Sequence, residues 1–263
     1  MKRYVILLAV VLCVSSASAW NKLAQESIAT LAEQNLTPKA KEQCAQILGG
    51  SLASGAWWLQ TITKDEQTKY TGAWHFISVS DDLRSITTSD KDGVVQIERC
   101  AKLLRERAEH SDSTVVATLK TLIHLVGDMH NVSHVRIAGI PNSRKNFEFG
   151  LSNGKLGKKE EVTPHGWRKF WDSSLVNRRG CFSPEMYALD LTLCYEEQKE
   201  NFSHGDVRHW AADMARLCAP LYDWAKPEVY MSREQQNRLE LINDKTMARA
   251  GYRLAALLND IFK

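Results

Sequence analysis

The chain has 263 residues, of which 44% are hydrophobic and 25% charged, with a formal net charge of +3. That length suits one large domain or two small ones and is ample for a sizeable core. So mild a charge does not argue for nucleic acid by itself, and beyond the first nineteen residues no apolar run reaches membrane-spanning length.

In chain order, Lys2 and Arg3 precede an apolar run at 5–14, and Ala17-Ser18-Ala19 supplies the small residues that signal peptidase requires. The expectation is a signal peptide at 1–19, an exported (secreted or periplasmic) protein, and a mature chain that starts at Trp20. Leu23, Ser27, Ile28, Leu31 and Ala32 share a helical face, and Thr37-Pro38 reads as an N-cap followed by a first-turn proline. Helical period continues over 94–110, 113 to about 128, 167–176, 183–198, 206–224 and 232–262. Strand signal is confined to 74–79 and 146–149, and the Gly, Ser and Lys run after 150 reads as a loop or hairpin. The expected fold is all-α: one helical-bundle domain over 20–263 with at most a short β-hairpin.

Two basic clusters, Arg144-Lys145 and KLGKK at 155–159, read as solvated loop faces. Export permits disulfides, but Cys44, Cys100, Cys181, Cys194 and Cys218 are odd in number and lack CxxC spacing, so no pairing is assigned. Nothing in the sequence fixes an oligomeric state.

The stretch LIHLVGDMHNVSHV at 122–135 holds the chemistry. His124 and Asp128, four apart, lie on one helical face. His130 and His134 repeat the offset about half a turn round, so one straight helix cannot aim all four at a point. His134 is therefore expected past the helix end. Imidazole and carboxylate are the donors that a catalytic zinc takes while keeping one position open. His75 in WHF and Asp172 in FWDSSL add to the set, whereas His110 and His130 read as exposed or structural. Each residue alone would be an ordinary hydrogen-bonded core residue; the set together with Trp20 points to metal.

These motifs resemble the zinc-dependent single-strand nucleases of the S1/P1 type. The resemblance runs through Trp20, LTPKA at 36–40, ILGG at 47–50, WHF at 74–76, LIHLVGDMH at 122–130, WDSSLV at 171–176, SPEMYALDL at 183–191 and RLAALLNDIF at 253–262. It implies the phospholipase C/P1 nuclease fold, three zinc ions in a cleft, and hydrolysis of single-stranded DNA or RNA and of 3′-nucleotides. By position, it implies one zinc at Gln60, His75, His124 and Asp128. A second falls on the amine and carbonyl of Trp20, Gln25 and Asp128, and a third on His134, Arg168 and Asp172.

The family has Asp where Gln60 stands and His where Gln25 and Arg168 stand, so each zinc has lost one ligand. A glutamine carbonyl is a weak neutral donor and an arginine repels the metal. The expectation is one zinc at most, on His75, His124 and Asp128. His165, seven residues before Asp172, replaces the lost imidazole only if the helix starts at Trp167, since two turns span about 10.5 Å. Phe76 matches the family's base-stacking position, and Arg168 could grip a phosphate. The functions in view are an impaired family nuclease acting on single-stranded nucleic acid or nucleotides, a mononuclear zinc phosphoesterase, and a non-catalytic nucleotide- or anion-binding pseudoenzyme.

Overall fold

The computed structural model describes residues 20–84, 86, 89–152, 162–227 and 229–263. The expected signal peptide and the KLGKK run lie outside the described residues.

The longer helices form in the segments read as helical, and short ones of three to five residues join them. They are α1 (Lys22–Gln34), α2 (Pro38–Leu48), α3 (Leu52–Gly55), α4 (Trp58–Ile62), α5 (Gly93–Arg105) and α6 (Asp112–Met129). After them come α7 (Trp167–Lys169), α8 (Leu175–Arg178), α9 (Pro184–Tyr195), α10 (Lys199–Ser203), α11 (Val207–Trp224) and α12 (Arg233–Ile261). Their starts are fixed by local chemistry. The Thr37 hydroxyl accepts from Ala40 N at 3.2 Å with Pro38 as first helical residue, and Ser232 with Gln235 closes a capping box on α12. The helix expected over 167–176 is interrupted: α7 passes through one wide π turn, Phe170–Ser174, before α8. Phe170, Trp171 and Asp172 in that turn are all buried.

The expected hairpin is present as β3 (Glu148–Ser152) against β4 (Val162–Gly166), with β5 (Tyr230–Met231) added in parallel to β3. A second, parallel pair joins β1 (Ile77–Val79) to β2 (Val135–Ile137), with Ser78 opposite Arg136. β1 falls within the strand signal expected at 74–79, whereas the three-residue β2 is too short for alternation to announce it. The pair matters because it fixes the segment after His75 beside the segment after His134.

The core is built round α6. Every residue of it from Thr121 to Met129 is buried, and α1, α2, α3, α4, α5 and α12 pack on it. A helix covered on all sides is a core element, and truncating Leu122 or Leu125 to alanine costs about 2–5 kcal/mol. At Gly127 α1 comes so close that a β-carbon would overlap the Gln25 side chain. Cys44, Cys100, Cys181, Cys194 and Cys218 are all unpaired. No helix of the described residues is long and apolar enough to cross a membrane.

Candidate metal centre

His124 and Asp128 project from α6 one turn apart, as their spacing requires, and His75 reaches them from the loop before β1. Asp128 Oδ2 lies 2.5 Å from His75 Nδ1 and 3.2 Å from His124 Nε2, and the two ring nitrogens are 3.2 Å apart. All three side chains are buried.

This triangle fits zinc. Metal bonds of about 2.0–2.1 Å in a tetrahedron put ligand atoms about 3.3 Å apart. Two edges have that length, and the His75–Asp128 edge need open by less than about 1 Å. The His124 ring is oriented for ligation, because its Nδ1 donates to the Ala56 carbonyl at 2.7 Å and leaves Nε2 as the ligand atom. His75 presents Nδ1 to the cluster, while its buried Nε2 has no hydrogen-bond partner. Burial alone would raise the Asp128 carboxyl, but the adjoining His124 and His75 hold it well below the usual carboxylate range. Burial pushes the His75 imidazole down against the pull of Asp128. An ionised carboxylate and an imidazole biased to its neutral form are what metal ligation requires.

Gln25, on α1, takes the other carboxylate oxygen: its amide donates to Asp128 Oδ1 at 2.5 Å and more weakly to the His124 carbonyl at 3.4 Å. An N–H aimed at Oδ1 occupies one of the lone pairs that a second cation would need. Trp20 is fully buried, with its indole N–H donating to the Gly127 carbonyl at 3.0 Å, and the next amide, Asn21 N, donates to the Asp172 carbonyl at 2.7 Å. The Trp20 backbone thus lies between the α6 end and the Asp172 turn. Gln60 is buried on α4, which packs on α6.

His134 lies past the end of α6, in a 3-10 turn at Val132–His134. Its Nδ1 donates to the His75 carbonyl at 2.7 Å, and its Nε2 faces Asp172 Oδ1 at 3.5 Å. That oxygen already accepts from Asn131 Nδ2 and Ser133 Oγ, each at 2.9 Å. Burial disfavours the His134 cation, yet Asp172 outweighs it and the imidazole is raised; Asp172 is raised by burial in spite of His134. Arg168 forms no ion pair with Asp172. Its guanidinium carbon lies 4.9 Å from the Phe76 ring centre, with Arg136 at 3.9 Å, and Phe76 stacks on His134 at 4.8 Å. With these groups around it Phe76 is only 4% exposed.

His165 is on β4, its Nε2 2.9 Å from Ser174 Oγ and its ring against Phe149 and Phe170, so it does not join His134 and Asp172. His130 is buried between the Val126 carbonyl at 2.8 Å and Arg253 at 3.0 Å, a structural role, and His110 is exposed. Sequence reading missed Arg136, Asn131, Ser133 and the Ala56 carbonyl. A backbone carbonyl leaves no trace in sequence, and Arg136 becomes relevant only through the β1–β2 register.

A helical protein whose buried central helix offers an imidazole and a carboxylate to a second imidazole defines the class: an all-α scaffold with a candidate hydrolytic metal centre. The S1/P1 nuclease family model matches residues 20–263, and the chain belongs to that family, with its phospholipase C/P1 nuclease-type helical fold. It is 24% identical to Nuclease S1 of Aspergillus oryzae over 91% of both chains. It is 22% identical to Nuclease PA3 of a Penicillium species and 22% identical to Nuclease P1 of Penicillium citrinum, in each case over 92% of this chain and 97% of the relative.

Proposed function

We propose that the chain is a phosphoesterase acting on single-stranded nucleic acid or nucleotides, and that it works with one zinc on His75, His124 and Asp128 instead of three. The observation that carries this reading is the buried triangle, two of whose edges, at 3.2 Å, already have the length that a tetrahedral zinc needs. Bound there, zinc would supply Lewis acidity toward a phosphoryl oxygen and lower the pKa of a water. The protein's own part is to hold Asp128 ionised, to fix the His124 tautomer through Ala56, and to cap Asp128 Oδ1 with Gln25. At position 60 an amide cannot accept a proton, which is the physical reason to expect slow turnover. The leader at 1–19 supports export, with Trp20 as the processed terminus.

A second reading, a non-catalytic anion-binding protein, is favoured by Arg168 lying on Phe76 and not on Asp172. Metal analysis and hydrolysis assays separate the two. One zinc per chain with cleavage of single-stranded DNA, RNA or a 3′-nucleotide supports the enzyme, and one zinc without cleavage supports the binding protein. Three zinc per chain, or none, would sink the one-zinc site.

A further inference from the structure

Arg107 and Arg249 lie on Phe262 and Phe202, and four further arginines that are buried or half-buried among the described residues are tied to carboxylates: Arg178 to Glu240, Arg179 to Asp244, Arg208 to Glu98 and Arg253 to Asp213. Arg136 and Arg168 are not. Among the described residues neither guanidinium has an ion pair or a side-chain hydrogen bond, and neither has a nitrogen buried without a partner, so their donors face solvent. Arg144, exposed, adds a third positive charge nearby; after burial itself, Arg168 and Arg144 are the main influences that lower Arg136. Asp92 acts on Arg136 from the α5 cap without pairing with it.

A guanidinium stacked on an aromatic ring keeps its plane against the π face and points its five N–H groups outward in that plane. Two such forks drawn to one ring offer paired N–H donors of the kind that the oxygens of a phosphate group accept. Like charges held this close repel, and an anion between them turns that repulsion into attraction. The ring is Phe76, which stacks on His134 and follows His75 directly, so the cluster adjoins the metal centre.

We infer that Arg136 and Arg168, carried on Phe76, form a fork for the phosphate group of the substrate, so that this part of the site grips an anion and is indifferent to the base. The fork depends on the phosphoesterase reading only for the source of the phosphate; the grip itself stands with or without metal.

The test is calorimetric titration with inorganic phosphate, adenosine 3′-phosphate and adenosine, before and after the protein is stripped of divalent metal by a chelator. Both phosphates bind, adenosine does not, and Arg136→Gln or Arg168→Gln each weakens phosphate binding at least about tenfold, an effect that survives chelation. Arg249→Gln, on a separate cavity lined by Phe202, His204 and Asp213, leaves binding unchanged. Arg136→Lys, which keeps the charge and the ring contact but loses the fork, falls between wild type and Arg136→Gln, and thermal denaturation confirms that each variant is folded. Adenosine binding as tightly as its 3′-phosphate would overturn the proposal. So would phosphate binding that vanishes on chelation yet ignores both arginine substitutions, since the metal alone would then hold the anion and the phosphoesterase reading would stand without the fork. A short single-stranded oligothymidylate that binds more tightly than inorganic phosphate, and that depends on the same arginines, identifies the nucleic-acid backbone as the source.

Discussion

The His75–His124–Asp128 cluster and the His134–Asp172 pair begin from the same parts. In each, an imidazole is pinned through Nδ1 to a backbone carbonyl at 2.7 Å, Ala56 for His124 and His75 for His134, and turns Nε2 toward a buried carboxylate. They differ in the third group and in what else the carboxylate must do. Asp128 reserves Oδ2 for two imidazoles, whereas Asp172 Oδ1 is already engaged by Asn131 and Ser133, and the residue that would complete its site, Arg168, lies on Phe76. A pre-aimed histidine is therefore not enough. A metal site also needs free lone pairs on its acid and a third donor that is not a cation.

Removing a donor from the complete cluster should have the largest effect. His124→Ala is expected to reduce bound zinc from one per chain to less than about a tenth and hydrolysis by about a thousandfold or more. Zinc retained at wild-type occupancy would show that the metal lies elsewhere. The reverse manoeuvre tests the incomplete pair: Arg168→His supplies the missing imidazole and should bring zinc toward two per chain. The second ion should bind about 10–100-fold more weakly than the first, because Asp172 must give up hydrogen bonds to hold it. Unchanged stoichiometry would mean that position 168 does not face that site.

Gln25→Ala probes the second oxygen of Asp128. It frees Asp128 Oδ1 and opens a gap against Gly127, so unfolding in denaturant should show a loss of about 1–3 kcal/mol while zinc stays at one per chain. Zinc lost along with the glutamine would mean that Gln25 is needed to keep the acid in place.

How far these regions are legible in sequence follows from the range of each signal. Helices α1, α5, α6, α11 and α12 are long enough for period to register, whereas α9 carries apolar residues all round, with Leu189 and Leu193 exposed; Thr37-Pro38 and Ser232 mark helix starts by local chemistry. His124 and Asp128 could be paired from spacing alone because a helix fixes their relation. His75, His134 and Asp172 could be gathered only through resemblance, since distant loops carry no spacing rule. The strand signal at 74–79 contains β1, but its partner β2 and the π turn at Phe170–Ser174 were illegible: a three-residue strand and one extra residue per turn fall below any periodic pattern. For the same reason Arg136 escaped notice, although its place opposite Ser78 puts it on Phe76.

The smallest expected effect concerns Asp92, which reaches the arginine side of this comparison through Arg136. Asp92 is 3% exposed, caps α5 by accepting from Val94 N at 3.0 Å, and burial pushes its carboxyl up to about 6. A folded-state pKa above the unfolded value of about 3.9 means that the native state favours the proton. Its contribution to stability is therefore present in full below about pH 4 and is lost as pH rises through about 6. Asn keeps the cap but cannot ionise. Between pH 4 and 7, chemical denaturation of wild type should lose up to about 2–3 kcal/mol relative to Asp92→Asn, with the gap opening mainly between about pH 4 and 6 and levelling off above that. Parallel stability curves for the two proteins would mean that Arg136 fully compensates the buried charge, and the guanidinium would then be pairing with Asp92 and not waiting for an anion.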